Sequence, residues 1–400
     1  MKFIFRCKIF LSGSHGIAPD WGIVLSKGSG KQDGYVLDAG KYQDAMVRNV
    51  GARLIDLDGI VCPALINTHT HLELSPFKSA THSDFVDWVL HLMAVRTSRQ
   101  FDDLSLECLT AKCKAEKSGT SYFVNVGNDF ALNASLGKNQ LFQFEQIGIN
   151  ESAAEGIFTK ASASLSPTQN AALAIHAPYS TSPSLMKKIK SFNNARGIVT
   201  SVHLAETEDE VEFIHSGTGR MTDLLDSRLG AGKWSFGGTG LSPVAYLDSL
   251  GLLDEKTLCV HCVFLEKEDL EILKKRNCGV VVCVRSNRNL TGSIPNLAEF
   301  AKHGIRIFIG TDSKASSPDL DMFAEISAFY GEYHGVLDPS KIFQMVTTDP
   351  SNYLGIDNVF GELAPGKIGS MVFAPFDGNA DDAFEFLVAD AMGKTETVSY

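Results

Sequence analysis

The sequence predicts an α/β protein, a distorted (β/α)8 barrel with a small β domain built from both chain ends. Three observations predict it. Through the middle of the chain, short uninterrupted apolar runs alternate with amphipathic segments, and eight such runs can be counted. Strands that are apolar throughout are buried on both faces, which happens when helices cover a parallel sheet. Eight repeats of that unit favour a closed barrel over an open sheet, and histidines gather at the ends of the runs, where such barrels build their sites.

In chain order, 1–11, 22–25 and 53–58 read as strands, separated by turn signals at Gly28–Gly30 and Gly34. The eight runs are 60–67, 121–126, 141–147, 171–175, 198–202, 257–260, 279–284 and 305–309. Amphipathic stretches such as 84–96, 104–117, 184–193, 209–215, 267–276 and 294–302 supply covering helices. The connection 214–256 carries Gly217, Gly219, Gly237, Gly238 and Gly240 and reads as a lid or substrate loop. Helical segments continue to about Leu354, and 361–375 returns to short strands. The predicted division is therefore 1–59 and 357–400 for the small domain and 60–356 for the barrel.

Composition narrows the class. At 400 residues, 44% hydrophobic and 21% charged, the chain can bury a large core without staples. A net charge of −11 argues against nucleic acid or an anionic membrane as partner. No uncharged apolar run reaches the about 18 residues of a membrane span. Lys2, Arg6 and Lys8 interrupt the N-terminal apolar stretch and no small-residue cleavage site follows, so a strand is expected there rather than a signal peptide. The eight cysteines, mostly in apolar runs, are then expected to be reduced thiols of a cytoplasmic protein.

His69, His71, His176, His203 and His261 fall at or just past predicted strand ends, and Asp312 follows the eighth. His69 and His71, two apart on a strand, point to one side and can reach one ion. Glu206, three residues after His203, suits an acid/base group beside the ion rather than a ligand. Asp312 can bind the ion and take a proton from its water. The plainer alternatives are satisfied core histidines, a solvated Glu206 and a helix-capping Asp312. Ser313 or Ser316 can supply that cap instead. His261 is either a fourth imidazole near the ion or a group orienting the nucleophile. Nitrogen and oxygen donors without thiolate suit one divalent ion, Zn²⁺ first, with Fe²⁺ or Mn²⁺ as alternatives. A rival zinc ribbon from Cys259, Cys262, Cys278 and Cys283 is weak, because Cys259 and Cys262 face opposite sides of a strand.

Those residues, in that order, resemble the amidohydrolase superfamily, in its mononuclear-metal deaminase and chlorohydrolase branch. The likeness runs along nearly the whole chain and adds Ser286-Asn287, Gly310-Thr311-Asp312-Ser313 and the tail Gly361-Glu362-Leu363-Ala364-Pro365-Gly366-Lys367. It implies His69, His71, His203 and Asp312 as ligands, Glu206 as the donor to a substrate ring nitrogen, and His261 as support for the nucleophile and the tetrahedral centre. No lysine matches a strand end to bridge a second ion. The chain departs from the pattern at Cys283-Val284-Arg285-Ser286-Asn287, which lacks the usual proline, and at Gly369-Ser370 in place of Ala-Asp.

The stretches His69-Thr70-His71-Leu72-Glu73-Leu74-Ser75 and His176-Ala177-Pro178-Tyr179-Ser180 look like those of adenine-nucleoside deaminases. The nearest likeness is to 6-aminodeoxyfutalosine deaminases of menaquinone biosynthesis, beside S-adenosylhomocysteine and methylthioadenosine deaminases. The implied substrate is a small modified purine nucleoside that loses its 6-amino group to water. Substrate contacts are expected from His176, from Glu73 to a sugar hydroxyl, from Ser313, and from Arg96, Arg285 or Arg288 to any carboxylate. Trp88 reads as core. A chlorohydrolase or amide hydrolase on the same site is the alternative, disfavoured by the presence of Glu206. A homodimer is the base-rate expectation.

Overall fold

The computed structural model describes residues 1–14, 16–26, 34–79, 84–96, 101–165 and 170–398, so the predicted turn at Gly28–Gly30 lies outside the described residues. Its strands begin with β1 (Lys2–Ser12), β2 (Gly16–Ser26), β3 (Val36–Lys41) and β4 (Arg53–Pro63). Next come β5 (Leu65–Thr70), β6 (Thr120–Gly127), β7 (Gln140–Gln146), β8 (Ala171–Ile175) and β9 (Thr200–Leu204). The chain continues through β10 (Thr257–His261), β11 (Gly279–Val282) and β12 (Arg306–Ile309) to β13 (Met371–Pro375) and β14 (Glu396–Thr397).

The chain ends share one sheet, in the order β14-β13-β4-β1-β2-β3. Alternation along β1 explains its two faces. Phe3, Phe5 and Cys7 pack with Ile23, Val61 and Met371 on one side. Ile4 joins Val24, Tyr42 and Ala45 on the other, where the helix Tyr42–Arg48 covers the sheet.

The second sheet is the predicted barrel, with β5 to β12 hydrogen-bonded in chain order. Its pairs are parallel, as in β6–β7, β7–β8, β9–β10, β10–β11 and β11–β12. The ring closes just beyond β5 and β12. Thr68 Oγ1 donates to the Ile309 carbonyl at 2.8 Å, Asp312 N–H donates to the His69 carbonyl at 3.0 Å, and Thr70 bridges Asp312 in parallel. Gly310 permits that approach, because a Cβ there would lie 2.8 Å from the His69 nitrogen.

The expected first barrel strand, 60–67, is in fact two strands. Ile60 and Val61 pair with Ile9 and Phe10 in the terminal sheet, and the barrel strand starts at Leu65, whose N–H donates to the Gly119 carbonyl at 2.8 Å. Pro63 has no N–H for a ladder and marks the change of sheet. Apolar content alone cannot show where one buried strand hands over to the next. The connection 214–256 is also more ordered than a plain loop, with helices at Met221–Leu229 and Pro243–Ser249.

The chain forms two compact units, Met1–Asn67 with Cys113–Tyr122 and Asp321–Tyr400, and Thr68–Lys112 with Phe123–Leu320. Every side chain of the site below belongs to the second. Among the described residues no helix is long and apolar enough to cross a membrane.

Candidate active site

Strand β5 delivers His69 and His71, β9 delivers His203, and Asp312 follows β12. All are buried. The ligand atoms of His69, His71 and His203 lie within 4.8 Å of one another. His71 Nε2 and His203 Nε2 face each other at 3.3 Å, and Asp312 Oδ1 stands 3.6 Å from the Nε2 atoms of both His69 and His71. Burial pushes the imidazoles down, His71 to about 3 and His203 well below its ordinary value, so they carry free lone pairs at neutral pH. Burial alone pushes Asp312 up, but its contacts with His69 and His71 outweigh that and hold it well below the usual range, ionised. Three neutral imidazoles and one carboxylate converging on one point fit a single divalent cation.

The surroundings fix each donor. Asp312 Oδ2 accepts from Ser286 Oγ and Ser316 Oγ, each at 2.6 Å, which leaves Oδ1 for the imidazole side. His203 Nδ1 donates to the His176 carbonyl at 2.8 Å, which leaves Nε2 as the nitrogen that could take an ion. Among the described residues six non-glycines hold positive φ, and four of them, Ala205, His261, Cys262 and Asp312, stand at barrel strand ends. Such backbone costs about 1–3 kcal/mol per residue and persists where the surroundings enforce it.

Glu206 and His261 form the second feature. His261 Nε2 lies 3.4 Å from Glu206 Oε1, and its Nδ1 bonds Asn287 Oδ1 at 2.7 Å. Burial, reinforced by the charge of Asp312, holds Glu206 well above the usual carboxylate range, which favours its protonated form. Burial keeps His261 neutral. His261 lies outside the three-histidine group.

Both features open on a cavity of about 470 Å³. Its far wall is the helix Phe85–Arg96, which presents Phe85, Val89, Leu92 and Met93. Trp88 joins them and also packs against the core cluster of Leu74, Phe77 and Ala315, its Nε1 donating to the Ala315 carbonyl at 3.1 Å. His176 and Ser313 line the cavity as well. His176 Nδ1 bonds Ser180 Oγ at 2.6 Å, and Ser313 Oγ bonds Ser316 Oγ at 3.0 Å.

The expected sugar contact, Glu73, lines the cavity, and its carboxylate also has partners in the protein. Its Oε2 accepts from the N–H groups of Asn128 and Asp129, both 2.9 Å, and from Asn133 Nδ2 at 2.8 Å. Its Oε1 takes Arg96 Nη2 at 2.6 Å. The carboxylate braces the cavity wall and fixes Arg96, which does line the cavity. Arg285 and Arg288 do not line it; Arg285 pairs with Asp319 at 2.9 Å, and Arg288 donates to the Gly292 carbonyl at 3.3 Å.

Two charged lining residues are absent from the sequence expectations. Glu145, at the end of β7, is buried, and burial with the nearby charge of Glu73 pushes it up to about 8. A lone acid closing an apolar run was the signal for it. Arg228 comes from the helix Met221–Leu229 in the long connection, and among the described residues no hydrogen bond or ion pair engages it. Only the glycine-rich length of that connection hinted at a role.

Residues 60–391 match the amidohydrolase family. A 5-methylthioadenosine/S-adenosylhomocysteine deaminase of Desulforudis audaxviator is 28% identical over 343 residues, 80% of this chain and 74% of that protein. A 5'-deoxyadenosine deaminase of Methanothermobacter thermautotrophicus is 26% identical over 333 residues, 78% of this chain and 73% of that protein. The crystal structure of Helicobacter pylori aminofutalosine deaminase with methylthio-coformycin superposes with a TM-score of 0.82 at 20% identity, covering 99% of this chain and 97% of that one. The match along most of its length, on a barrel that gathers the ligand set at one mouth, shows that this chain belongs to the amidohydrolase family, an enzyme that hydrolyses carbon–nitrogen bonds.

Proposed function

We propose that the enzyme removes the 6-amino group of an adenine-type nucleoside by hydrolysis, with 6-aminodeoxyfutalosine of menaquinone biosynthesis as its substrate. The observation that carries this reading is the buried Glu206, 3.4 Å from His261 Nε2 and held well above the usual carboxylate range, beside the candidate ligand cluster. Adding water to a purine ring sacrifices aromaticity, and an acid delivering a proton to ring nitrogen N1 offsets that loss. Glu206 and Asp312 are pushed in opposite directions, one up and one down, which is the pattern of an acid and a base sharing one site.

His69, His71, His203 and Asp312 would hold the ion, with Zn²⁺ the first choice. When bound, a divalent ion makes water acidic enough to serve as nucleophile near neutral pH. Glu206 gives its proton to N1. Asp312 receives a proton from the attacking water and passes it to the leaving amine. His261, steadied by Asn287, sits against Glu206 and orients it. Phe85, Leu92 and Met93 exclude bulk water from the other side.

The cavity's cations bear on the substituent. Arg96 is neutralised by Glu73, whereas Arg228 meets the cavity without a partner among the described residues. That favours a nucleoside ending in a carboxylate, such as aminodeoxyfutalosine or S-adenosylhomocysteine, over methylthioadenosine or 5'-deoxyadenosine. The name of the 28% identical relative keeps S-adenosylhomocysteine as the second reading.

The test is ammonia release, with the ultraviolet shift from adenine to hypoxanthine, by metal-replete enzyme. The panel holds aminodeoxyfutalosine, S-adenosylhomocysteine, methylthioadenosine, adenosine, guanine and a chlorotriazine. Aminodeoxyfutalosine should have the highest kcat/KM. Preference for S-adenosylhomocysteine would change the substrate and leave the chemistry standing. Turnover of the chlorotriazine alone would overturn the deaminase reading.

A further inference from the structure

One buried carboxylate near the site does not meet the cavity. Glu210 lies in the first turn of the helix Glu208–Ser216 and has no solvent exposure. Its Oε1 accepts the Ala205 N–H at 3.0 Å and its Oε2 accepts the Glu206 N–H at 2.9 Å. Ala205 holds a φ of 51°, a left-handed conformation that a residue with a Cβ adopts rarely. On the other side the Ala205 carbonyl accepts the N–H groups of Val263 and Phe264, both at 2.9 Å, just after His261 and Cys262 with their own positive φ. Thr207 Oγ1 caps the same helix by accepting the Glu210 N–H at 3.0 Å. The turn bearing Glu206 is thus gripped from both sides, and one grip is a carboxylate whose burial is costly.

We propose that Glu210 is a positioning residue for the proton transfer: its two oxygens hold the Ala205–Glu206 backbone in the turn that keeps the Glu206 carboxyl against His261. The inference rests on reading Glu206 as the proton donor. It accounts for a buried carboxyl group that touches neither the three-histidine cluster nor the cavity. A glutamine there fills the same space but sets an N–H group against a backbone N–H, so it loses one grip without losing volume.

The experiment compares Glu210→Gln and Glu210→Ala with wild type, using the best substrate of the panel. Both variants are expected to lose about 10- to 100-fold in kcat, with KM within about twofold, the scale of a misplaced catalytic group. Bound metal should stay at the wild-type stoichiometry. The Glu206→Gln/Glu210→Gln double variant should be no slower than Glu206→Gln, because a clamp without its acid has nothing left to position. Amide hydrogen exchange at Ala205 and Glu206 should quicken in Glu210→Gln. Wild-type kcat in Glu210→Gln, loss of metal in step with activity, losses that multiply in the double variant, or unchanged exchange would each overturn the proposal. Wild-type enzyme inert on every nucleoside would instead sink the deaminase reading, and the exchange measurement would still judge the clamp.

Discussion

The two walls of the cavity are made differently. One is built from strand ends: His71, His203, His261 and Asp312, buried, hydrogen-bonded and in part held in left-handed backbone. The other is a helix with Phe85, Trp88, Leu92 and Met93, joined by Arg228 from the long connection. The first wall holds its donors by hydrogen bonds and enforced backbone and suits chemistry shared across a family. The second offers shape, apolar surface and, among the described residues, one cation without a hydrogen bond or ion pair, and suits the choice of substrate. Chemistry and specificity are therefore separable here, residue by residue.

That separation can be broken most severely at the ligands. His71→Ala or His203→Ala should lose the bound metal and reduce turnover of every substrate to background, measured by elemental analysis beside the ammonia assay. Wild-type metal content in either variant would contradict the ligand set.

The next effect down sharpens the strand-end wall alone. Glu206→Gln should keep its metal and lose about 100- to 10,000-fold in kcat. The same residue sets the alkaline side of the pH profile. Burial and the Asp312 charge raise Glu206, so the active, protonated form persists below that raised value and is lost as pH climbs through it. Wild-type kcat/KM should fall on the alkaline side, and the Glu206→Gln profile should lack that limb.

Arg228→Gln probes the other wall. KM for a carboxylate-bearing nucleoside should rise about tenfold, the low end for a charge-assisted hydrogen bond at an exposed site, with adenosine unaffected. An equal change for both would remove Arg228 from substrate choice.

The smallest effect is on stability. Glu145 is raised to about 8 in the folded chain, so folding holds its proton more tightly than the unfolded chain does. Its contribution is fully present below the ordinary carboxylate range and is lost as pH rises to about 8. Melting in the absence of metal should therefore drop by about 2–5 °C between pH 5 and pH 8. Glu145→Gln should flatten that slope.

The strand-end wall was legible because barrel topology turns sequence position into spatial position. A histidine at the end of a predicted strand must face the mouth, whichever strand it is on. The paired His69 and His71, the offset from His203 to Glu206, and Asp312 all followed from that rule. The helical wall obeys no such rule. Trp88 could have faced either way, and Glu73 looked free until the N–H groups of Asn128 and Asp129 were found on it. Arg228 sits in a connection whose path depends on packing, and Glu145 is set apart only by burial. The 60–67 run failed for a related reason: a buried strand reads the same in either sheet.

The barrel's last rung, from Asp312 N–H to the His69 carbonyl, has a consequence for synthesis. The neighbouring bond of that seam joins Thr68 to Ile309, residues 241 positions apart. A growing chain therefore displays two imidazoles early and lacks their carboxylate partner until the eighth barrel strand has emerged. Capture of a cation by all four residues would then come among the final events of folding, and it would latch a ring whose first and last staves have only just met.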